Sequence, residues 1–142
     1  MDEGRDSIKV DLHVHSEGSY DASEPVDHIL EHAAHIDLDA IAITDHDNIE
    51  KSLEAVEKAE EYGIIAIPGA EVSTKDGHLL ALGVEELPEK GKPFMDTVEE
   101  IRDLGGIAVV PHPFQRTRHG ARKSKIKDID AEEVYNSWLF TG

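Results

Sequence analysis

The chain lacks cysteine altogether, and none of its apolar runs approaches the roughly 20 residues that a membrane span requires. The absence of cysteine excludes disulfide bonds, thiolate metal ligands and a cysteine nucleophile. The N-terminal sequence MDEGRDS does not resemble a signal peptide, so we expect a cytoplasmic protein without a membrane partner. A chain of 142 residues is long enough for one globular domain, over residues 1–142, with its own core.

Basic residues are also scarce, because 14 lysines and arginines accompany 31 aspartates and glutamates. The formal net charge of −17 argues against binding to duplex nucleic acid, for which affinity depends on neutralising phosphates. We interpret the acidity as a solvated surface, with adaptation to high salt as an alternative. Residues 111–127 hold six bases and no acid. This basic segment could hold a small phosphorylated ligand, or it could be a solvated loop that offsets the acidic body.

Strand and helix patterns alternate along the first half of the chain. Alternating apolar residues in IKVDLHVH predict a first strand. Apolar residues at helical spacing in SEPVDHILEHAAHIDL predict a helix with Pro25 in its first turn. A short apolar run in DAIAITDHD predicts the second strand, and NIEKSLEAVEKAEEYG predicts a helix that begins at an Asn48 cap and turns Val56 inward.

The second half of the chain continues the alternation. IIAIPGAEVS is predicted as a single third strand, followed by a hairpin into HLLALGV. FMDTVEEIRDLGG predicts a helix, and IAVVPHP and DAEEVYNSW predict further strands. This order is typical of βαβ units, and it predicts an α/β fold with a largely parallel sheet or barrel and helices outside.

Polar side chains follow four of these strands at the point where each strand ends. They are His13 and His15, then His46, Glu71 and His112. In a barrel of this kind the carboxyl ends of the strands meet at one face, so we expect these side chains to converge there. His13 and His15 project to the same side of a strand and can offer two imidazole nitrogens to one metal, at about 2.1 Å.

The remaining histidines have an ordinary interpretation. We predict that His28, His32 and His35 lie on the solvent face of one helix, and that His119 is likewise a surface or hydrogen-bonded residue. Asp45 and Asp47, on either side of His46, are expected to support neighbouring groups or to cap a helix rather than to act as a general acid.

Glu71 follows an apolar run in which an unpaired carboxylate would be costly to bury, and a bound metal would remove that cost. The position of His78 depends on the width of the hairpin. A two-residue turn at Asp76-Gly77 would leave His78 far from Glu71 along the strands. A four-residue loop from Thr74 to Gly77 pairs Ser73 with His78 and halves that distance, so we predict the wider loop.

The motifs DLHVHSEGSYD, ITDHD, GAEVS, GHLLALG and VVPHP together resemble the polymerase and histidinol phosphatase (PHP) superfamily over nearly the whole chain. The resemblance implies a distorted (β/α)7 TIM-like barrel with two or three divalent metals at the carboxyl ends of the strands. It implies that His13 and His15 bind the first metal and that Glu71 bridges it to a second metal. The other implied ligands are His78 and His112 for the second metal, and Asp21 and His46 for the third.

The sequence departs from the family pattern in one respect. Relatives close the site with a late Asp-x-His motif, whereas this chain stops at SWLFTG without one. Only about five core strands are predicted, and the chain is shorter than the 200 or more residues typical of (β/α) barrels. We therefore expect the N-terminal portion of a PHP domain, with a barrel that is incomplete at its C-terminus.

The predicted activity is hydrolysis of phosphoesters by a metal-bound hydroxide, with Zn, Mn or Fe as the metal. Glu71 and His112 would act at the metals, and Arg116 and Arg118 would hold the phosphate in bidentate fashion. The resemblance favours a small nucleotide, a nucleoside bisphosphate or an oligonucleotide end as substrate, with a short single-stranded oligonucleotide as the largest partner. The alternatives are a metal-binding domain that serves assembly or regulation without catalysis, and an amide hydrolase.

Overall fold

The computed structural model describes residues 7–111 and 131–132. The predicted residues His112, Arg116, Arg118 and His119, the basic segment beyond Pro111 and most of the last predicted strand lie outside the described residues. None of the described helices is long and apolar enough to cross a membrane.

The first half of the chain forms a parallel three-stranded sheet, as predicted. Its strands are β1 (Val10–Val14), β2 (Ala40–Ile43) and β3 (Ile65–Ala66), in that spatial order. Helix α1 (Val26–His35) connects β1 to β2, and helix α2 (Glu50–Lys58) connects β2 to β3 through a 3-10 turn, Ala59–Tyr62. The sheet and both helices share an apolar core, which includes the buried residues Val26, Leu30, Ala33, Ile41, Ile43 and Ala55.

The second half forms a separate four-stranded sheet. Its strands are β4 (Gly69–Thr74), β5 (Gly77–Leu82), β6 (Ile107–Val110) and β7 (Ala131–Glu132). The pairs β4 with β5 and β5 with β6 are antiparallel, and β6 with β7 is parallel. Helix α3 (Phe94–Asp103) packs on this sheet through a core of buried residues that includes Val72, Leu79, Val84, Phe94, Val98 and Ile101. The described residues therefore form a mixed α/β fold, with less parallel pairing than expected.

The prediction of one continuous strand over IIAIPGAEVS was wrong. The chain leaves the first sheet after Ala66 and enters the second at Gly69. Pro68 lies at the break, and because proline has no N–H it cannot donate to a sheet ladder. Its carbonyl instead accepts the N–H of Gly83 (2.7 Å), and the N–H of Gly69 is taken by the hydroxyl of Ser52 (2.8 Å). The third predicted strand thus becomes the crossing point between the two sheets.

The helix ends and the inner face of α2 also differ from expectation. α1 begins at Val26, so Pro25 lies at the N-cap position rather than in the first turn as predicted, and it has no side-chain cap. Val56 is 41% exposed, and the small side chains of Ser52 and Ala55 face the interior instead. Ala55 packs in the core of the first sheet, so the core side of α2 presents small side chains rather than the apolar Val56.

The two sheets meet beyond the end of β2. His46 forms an isolated parallel bridge with Glu71 of β4. In this bridge the N–H of Glu71 donates to the carbonyl of Asp45 (2.9 Å), and the N–H of Asp47 donates to the carbonyl of Glu71 (2.9 Å). The segment from Asp45 to Asp47 therefore leaves the first sheet and joins the second. This junction brings the predicted strand-end residues together.

Candidate metal centre

His13 in strand β1 and His15, which directly follows the strand, approach the same carboxylate oxygen. The Nε2 atom of His13 lies 2.9 Å from Oε1 of Glu71, and the Nε2 atom of His15 lies 2.7 Å from it. The two-residue period of the strand places both rings on one face, as predicted. The Asp11 carboxylate accepts the backbone N–H of His13 (3.2 Å).

Glu71 lies at the centre of the cluster and is almost fully buried, with 1% of its surface exposed. Its second oxygen, Oε2, lies 2.9 Å from Nδ1 of His78. The hairpin pairs Ser73 with His78, which confirms the predicted register. The predicted four-residue loop was wrong, because Thr74 and Gly77 also pair and the turn itself consists of Lys75 and Asp76. This register places His78 beside Glu71 on the neighbouring strand.

Asp21 and His46 form the outer part of the cluster. Oδ1 of Asp21 lies 3.0 Å from Nδ1 of His15, and its Oδ2 lies 3.1 Å from Nε2 of His46. His15 therefore has Glu71 at one ring nitrogen and Asp21 at the other. The ring of Tyr20 stacks on His46, with 4.7 Å between the centroids and 27° between the planes. Tyr20 is 83% exposed, so the other face of its ring is open to solvent at the rim of the cluster.

The charges in the cluster shift the pKa values of its members. Burial opposes the charged form of His15, but the hydrogen bond and charge of Glu71 outweigh it and raise the pKa of that imidazole. Burial lowers the pKa of His46, and the attraction of Glu71 does not compensate for it. Burial also acts to raise the pKa of Asp21, but the charge of His15, together with Ser19 and His46, lowers it.

The donor atoms fall into three overlapping groups, each with its atoms within 4.8 Å of one another. The first group matches the predicted first metal, with Glu71 as the shared residue. The second adds His15 to the predicted pair of Asp21 and His46. The groups are His13 with His15 and Glu71, His15 with Asp21 and His46, and His46 with Glu71 and His78. Their role as ligands stays a prediction, as does that of His112, which lies outside the described residues.

The chemistry of these residues fits divalent metal ions. A buried carboxylate needs compensation for lost hydration, and imidazoles approach both oxygens of Glu71. The buried Nδ1 atom of His46 has no hydrogen-bond partner among the described residues. All candidate donors are nitrogen or oxygen atoms, and imidazole combined with carboxylate suits Zn, Mn or Fe.

Sequence reasoning missed the residues that support and rim the cluster. Tyr20 was not identified, although it precedes Asp21 directly and is one of only three tyrosines. Ser16 and Ser73 were not identified either, and each hydrogen-bonds to an aspartate beside His46. Their adjacency to predicted ligands was the available signal. The three histidines of α1, His28, His32 and His35, are exposed as predicted.

Sequence comparison finds relatives in archaea and bacteria. An uncharacterized protein, MJ1587, of Methanocaldococcus jannaschii is 31% identical over 92% of this chain and 83% of its own length. A phosphoribosyl 1,2-cyclic phosphate 1,2-diphosphodiesterase of Eggerthella lenta is 40% identical over 54% of this chain and 31% of its own length. An error-prone DNA polymerase of Symbiobacterium thermophilum is 39% identical over 51% of this chain, which covers only 7% of that polymerase.

Solved structures with the same fold include two bacterial proteins. One is a two-domain protein of Bacteroides vulgatus that contains a predicted PHP-like metal-dependent phosphoesterase; it has a TM-score of 0.69 and 25% identity, over 78% of this chain and 36% of that one. The other is a candidate metal-dependent phosphoesterase of Bifidobacterium adolescentis, with a TM-score of 0.76 and 17% identity over 91% and 78% of the two chains. The PHP domain profile matches residues 11–125, and the chain therefore belongs to the PHP domain family.

Proposed function

We propose that this chain is a metal-dependent phosphoesterase. The observation that carries the proposal is the environment of Glu71, a buried carboxylate with imidazoles of β1 and β5 near its two oxygens. Such a cluster is costly to maintain in a metal-free core unless it serves a ligand. Membership of the PHP family supports the proposal, as does the diesterase of Eggerthella lenta, whose name describes phosphodiester cleavage.

The residues of the cluster have distinct proposed roles. His13, His15 and Glu71 would hold one metal, Glu71, His78 and His112 would hold a second, and Asp21 with His46 would hold a third. Divalent metals bound there would supply Lewis acidity, which lowers the pKa of a water molecule and polarises phosphoryl oxygens. Asp21 keeps the His15 ring in one orientation through its hydrogen bond to Nδ1 (3.0 Å).

The phosphate is proposed to be held by Arg116 and Arg118, in the basic segment that follows the predicted ligand His112. A guanidinium can bind two phosphate oxygens at once, which fixes the orientation of the ester. The described strands and helices are proposed to belong to a distorted (β/α)7 barrel. The order strand, helix, strand, helix, strand of the first sheet supports this arrangement.

The proposed substrate is a small nucleotide, a nucleoside bisphosphate or an oligonucleotide end, in the cytoplasm. Tyr20 supports this choice, because one face of its ring covers His46 while most of the side chain is exposed at the rim. An exposed aromatic ring beside a phosphate site can stack on a nucleobase. The acidic composition supports a small substrate over a duplex, since it disfavours contact with many phosphates.

The proposal is tested with protein purified without chelator. We expect at least one equivalent of a transition metal by elemental analysis, and Mn-dependent release of phosphate from a nucleoside bisphosphate or a short oligonucleotide. His13→Ala should lower this rate by about 100-fold or more, because it removes a direct ligand, and partners outside the ligand set already contribute 10- to 100-fold. His28→Ala is the matched control, since His28 is exposed on α1.

The same experiment separates the alternatives. Metal uptake without hydrolysis of any phosphoester would favour a domain that binds metal for assembly or regulation. Hydrolysis of amides but not of phosphoesters would favour an amide hydrolase. Protein with less than one equivalent of metal, or a His13→Ala variant with full activity, would contradict the proposed site.

A further inference from the structure

Two aspartates flank His46, and each binds both hydrogen-bond donors of a single serine. Asp45 accepts the N–H and the O–H of Ser16, both at 2.6 Å. Asp47 accepts the N–H of Ser73 at 2.9 Å and its O–H at 2.7 Å. A carboxylate that takes both donors of one residue fixes the position and the orientation of that residue. Because the acceptor is charged, these bonds are stronger than bonds between neutral groups.

The two serines occupy corresponding places beside the predicted ligands. Ser16 follows His15 directly at the end of β1. Ser73 lies two residues beyond Glu71, on the same face of β4, and it pairs across the strands with His78. The two aspartate–serine pairs therefore connect the segment that carries His46 to the end of β1, beside His15, and to β4, which carries Glu71 and pairs with His78 of β5.

The backbone of this segment reinforces the connection. The N–H of Thr44 donates to the carbonyl of Val14 (2.7 Å), and Asp45 and Asp47 each form one backbone hydrogen bond with Glu71 (2.9 Å). Asp47 has a φ of 48°, which is uncommon for a residue other than glycine. Such a conformation persists only where its surroundings enforce it, and it is concentrated at functional sites.

The pair around Asp45 is also enclosed sterically. Asp45 and Ser16 are fully buried. A side chain at Gly18 would begin 2.6 Å from Oδ2 of Asp45, so glycine is required for the loop to close over the carboxylate. The N–H of Gly18 donates to the Ser16 hydroxyl (3.1 Å), and its carbonyl accepts a bond from the Asn48 side chain (2.9 Å). The loop after β1 is thereby fastened to the end of β2.

We propose that Asp45 and Asp47 are positioning residues for the metal centre. Through Ser16 and Ser73 they hold the ends of β1, β2 and β4 at the spacing that brings the candidate ligands to Glu71. Neither carboxylate is proposed to touch metal or substrate. This inference rests on the proposed function, because it concerns the affinity of the same site for metal.

The experiment measures Mn²⁺ affinity by calorimetry and thermal stability in chelator, on the full chain. Ser16→Ala and Ser73→Ala each remove one hydroxyl from a pair and should weaken Mn²⁺ binding by about 10- to 100-fold, the usual effect of partners outside the ligand set. Asp47→Ala should weaken it at least as much. Asp47→Asn should restore most of the affinity, because the amide can accept the Ser73 N–H and donate to its hydroxyl.

Ser52→Ala is the matched control. Ser52 is as buried as Ser16, and its hydroxyl accepts the N–H of Gly69 at the start of β4. Its loss should lower the melting temperature while Mn²⁺ affinity stays within about twofold of wild type, since Ser52 lies outside the two pairs. This control therefore distinguishes a general loss of stability, which lowers only the melting temperature, from a loss of ligand positioning, which also lowers Mn²⁺ affinity.

Two results would overturn the inference. One is unchanged Mn²⁺ affinity in Ser16→Ala and Ser73→Ala, and the other is an equal loss in Ser52→Ala. Either result would leave metal binding by the wild type, and so the proposed function, intact. Wild-type protein that binds no Mn²⁺ would overturn the proposed function together with this inference. If Asp47→Ala does not fold, the two serine variants decide the outcome, because each removes only one hydroxyl.

Discussion

Histidines occur in two regions of this molecule, and the two sets differ in almost every physical respect. The histidines of the cluster (His13, His15, His46 and His78) have side chains at most 17% exposed, and each has a ring nitrogen within 3.8 Å of the buried carboxylate of Glu71. On α1, the side chain of His28 is 67% exposed and meets an exposed glutamate, Glu24, at 3.2 Å. The same residue type with the same kind of partner forms a candidate metal centre in one region and an ordinary surface pair in the other.

The comparison shows that backbone geometry, more than composition, separates the two regions. Strand ends from both sheets direct the first set to a common point, whereas the outer face of α1 directs its histidines into solvent. An exposed ion pair contributes little because water and salt screen it. The buried carboxylate of the cluster has no such screening, so each group near it has a large effect on its neighbours.

The largest expected effect comes from replacing the two glutamates in parallel. Glu71→Gln removes the charge that three imidazoles approach, and we expect metal-dependent activity to fall by more than about 100-fold, beyond the effect of partners outside the ligand set. Glu24→Gln removes an equivalent charge beside His28 and should leave activity unchanged. Steady-state kinetics with Mn²⁺ would measure both. Equal effects of the two substitutions would abolish the distinction between the regions.

A smaller effect is expected from metal on the stability of the protein. A metal that binds only the folded state at 100 times its Kd should raise the free energy of unfolding by about 2.7 kcal/mol for each site. Denaturant titrations with and without Mn²⁺ would measure this, and the gain should disappear in Glu71→Gln while persisting in Glu24→Gln. A gain that survived in Glu71→Gln would place the metal outside the cluster.

The smallest expected effect is a difference between the pKa values of two histidines of the cluster, His15 and His46, in metal-free protein. The pKa of His15 should lie above its ordinary value of 6.5 and that of His46 below it. Protonation of His15 therefore adds stability at pH below 6.5, and this contribution is lost as the pH rises through its raised pKa. Protonation of His46 opposes folding, so the stability contributed by neutral His46 is lost as the pH drops below 6.5. NMR titration of the imidazoles would measure both, and coincident midpoints would contradict the prediction.

Much of the candidate site could be predicted from local patterns. The two-residue period of β1 placed His13 and His15 on one face, and the requirement that His78 approach Glu71 led to the observed pairing with Ser73. The helical spacing on α1 predicted the exposure of His28. Each of these predictions depends on a period that a short stretch of sequence contains.

Other features could not be predicted, because they depend on contacts between distant segments. The inward face of α2 depends on which residues meet the core of the first sheet: Ala55 packs there, whereas Val56 is exposed. The division of IIAIPGAEVS into β3 and β4 follows from the crossing at Pro68 and from the hydroxyl of Ser52, which receives the N–H of Gly69. Propensity along a single segment contains no information about these partners.

By itself, the sequence determined which residues could bind metal, the alternation of strands and helices, and the membership of a family with these motifs. Only the tertiary structure decided that the converging strand ends belong to two different sheets, with Glu71 buried at their junction. It also decided that Asp45 and Asp47 hold them there through Ser16 and Ser73. The physical reason is the sequence separation of the partners. Periodicity reports on residues a few positions apart, whereas each of these hydrogen bonds joins residues more than 20 positions apart. Only the folded chain brings such partners together.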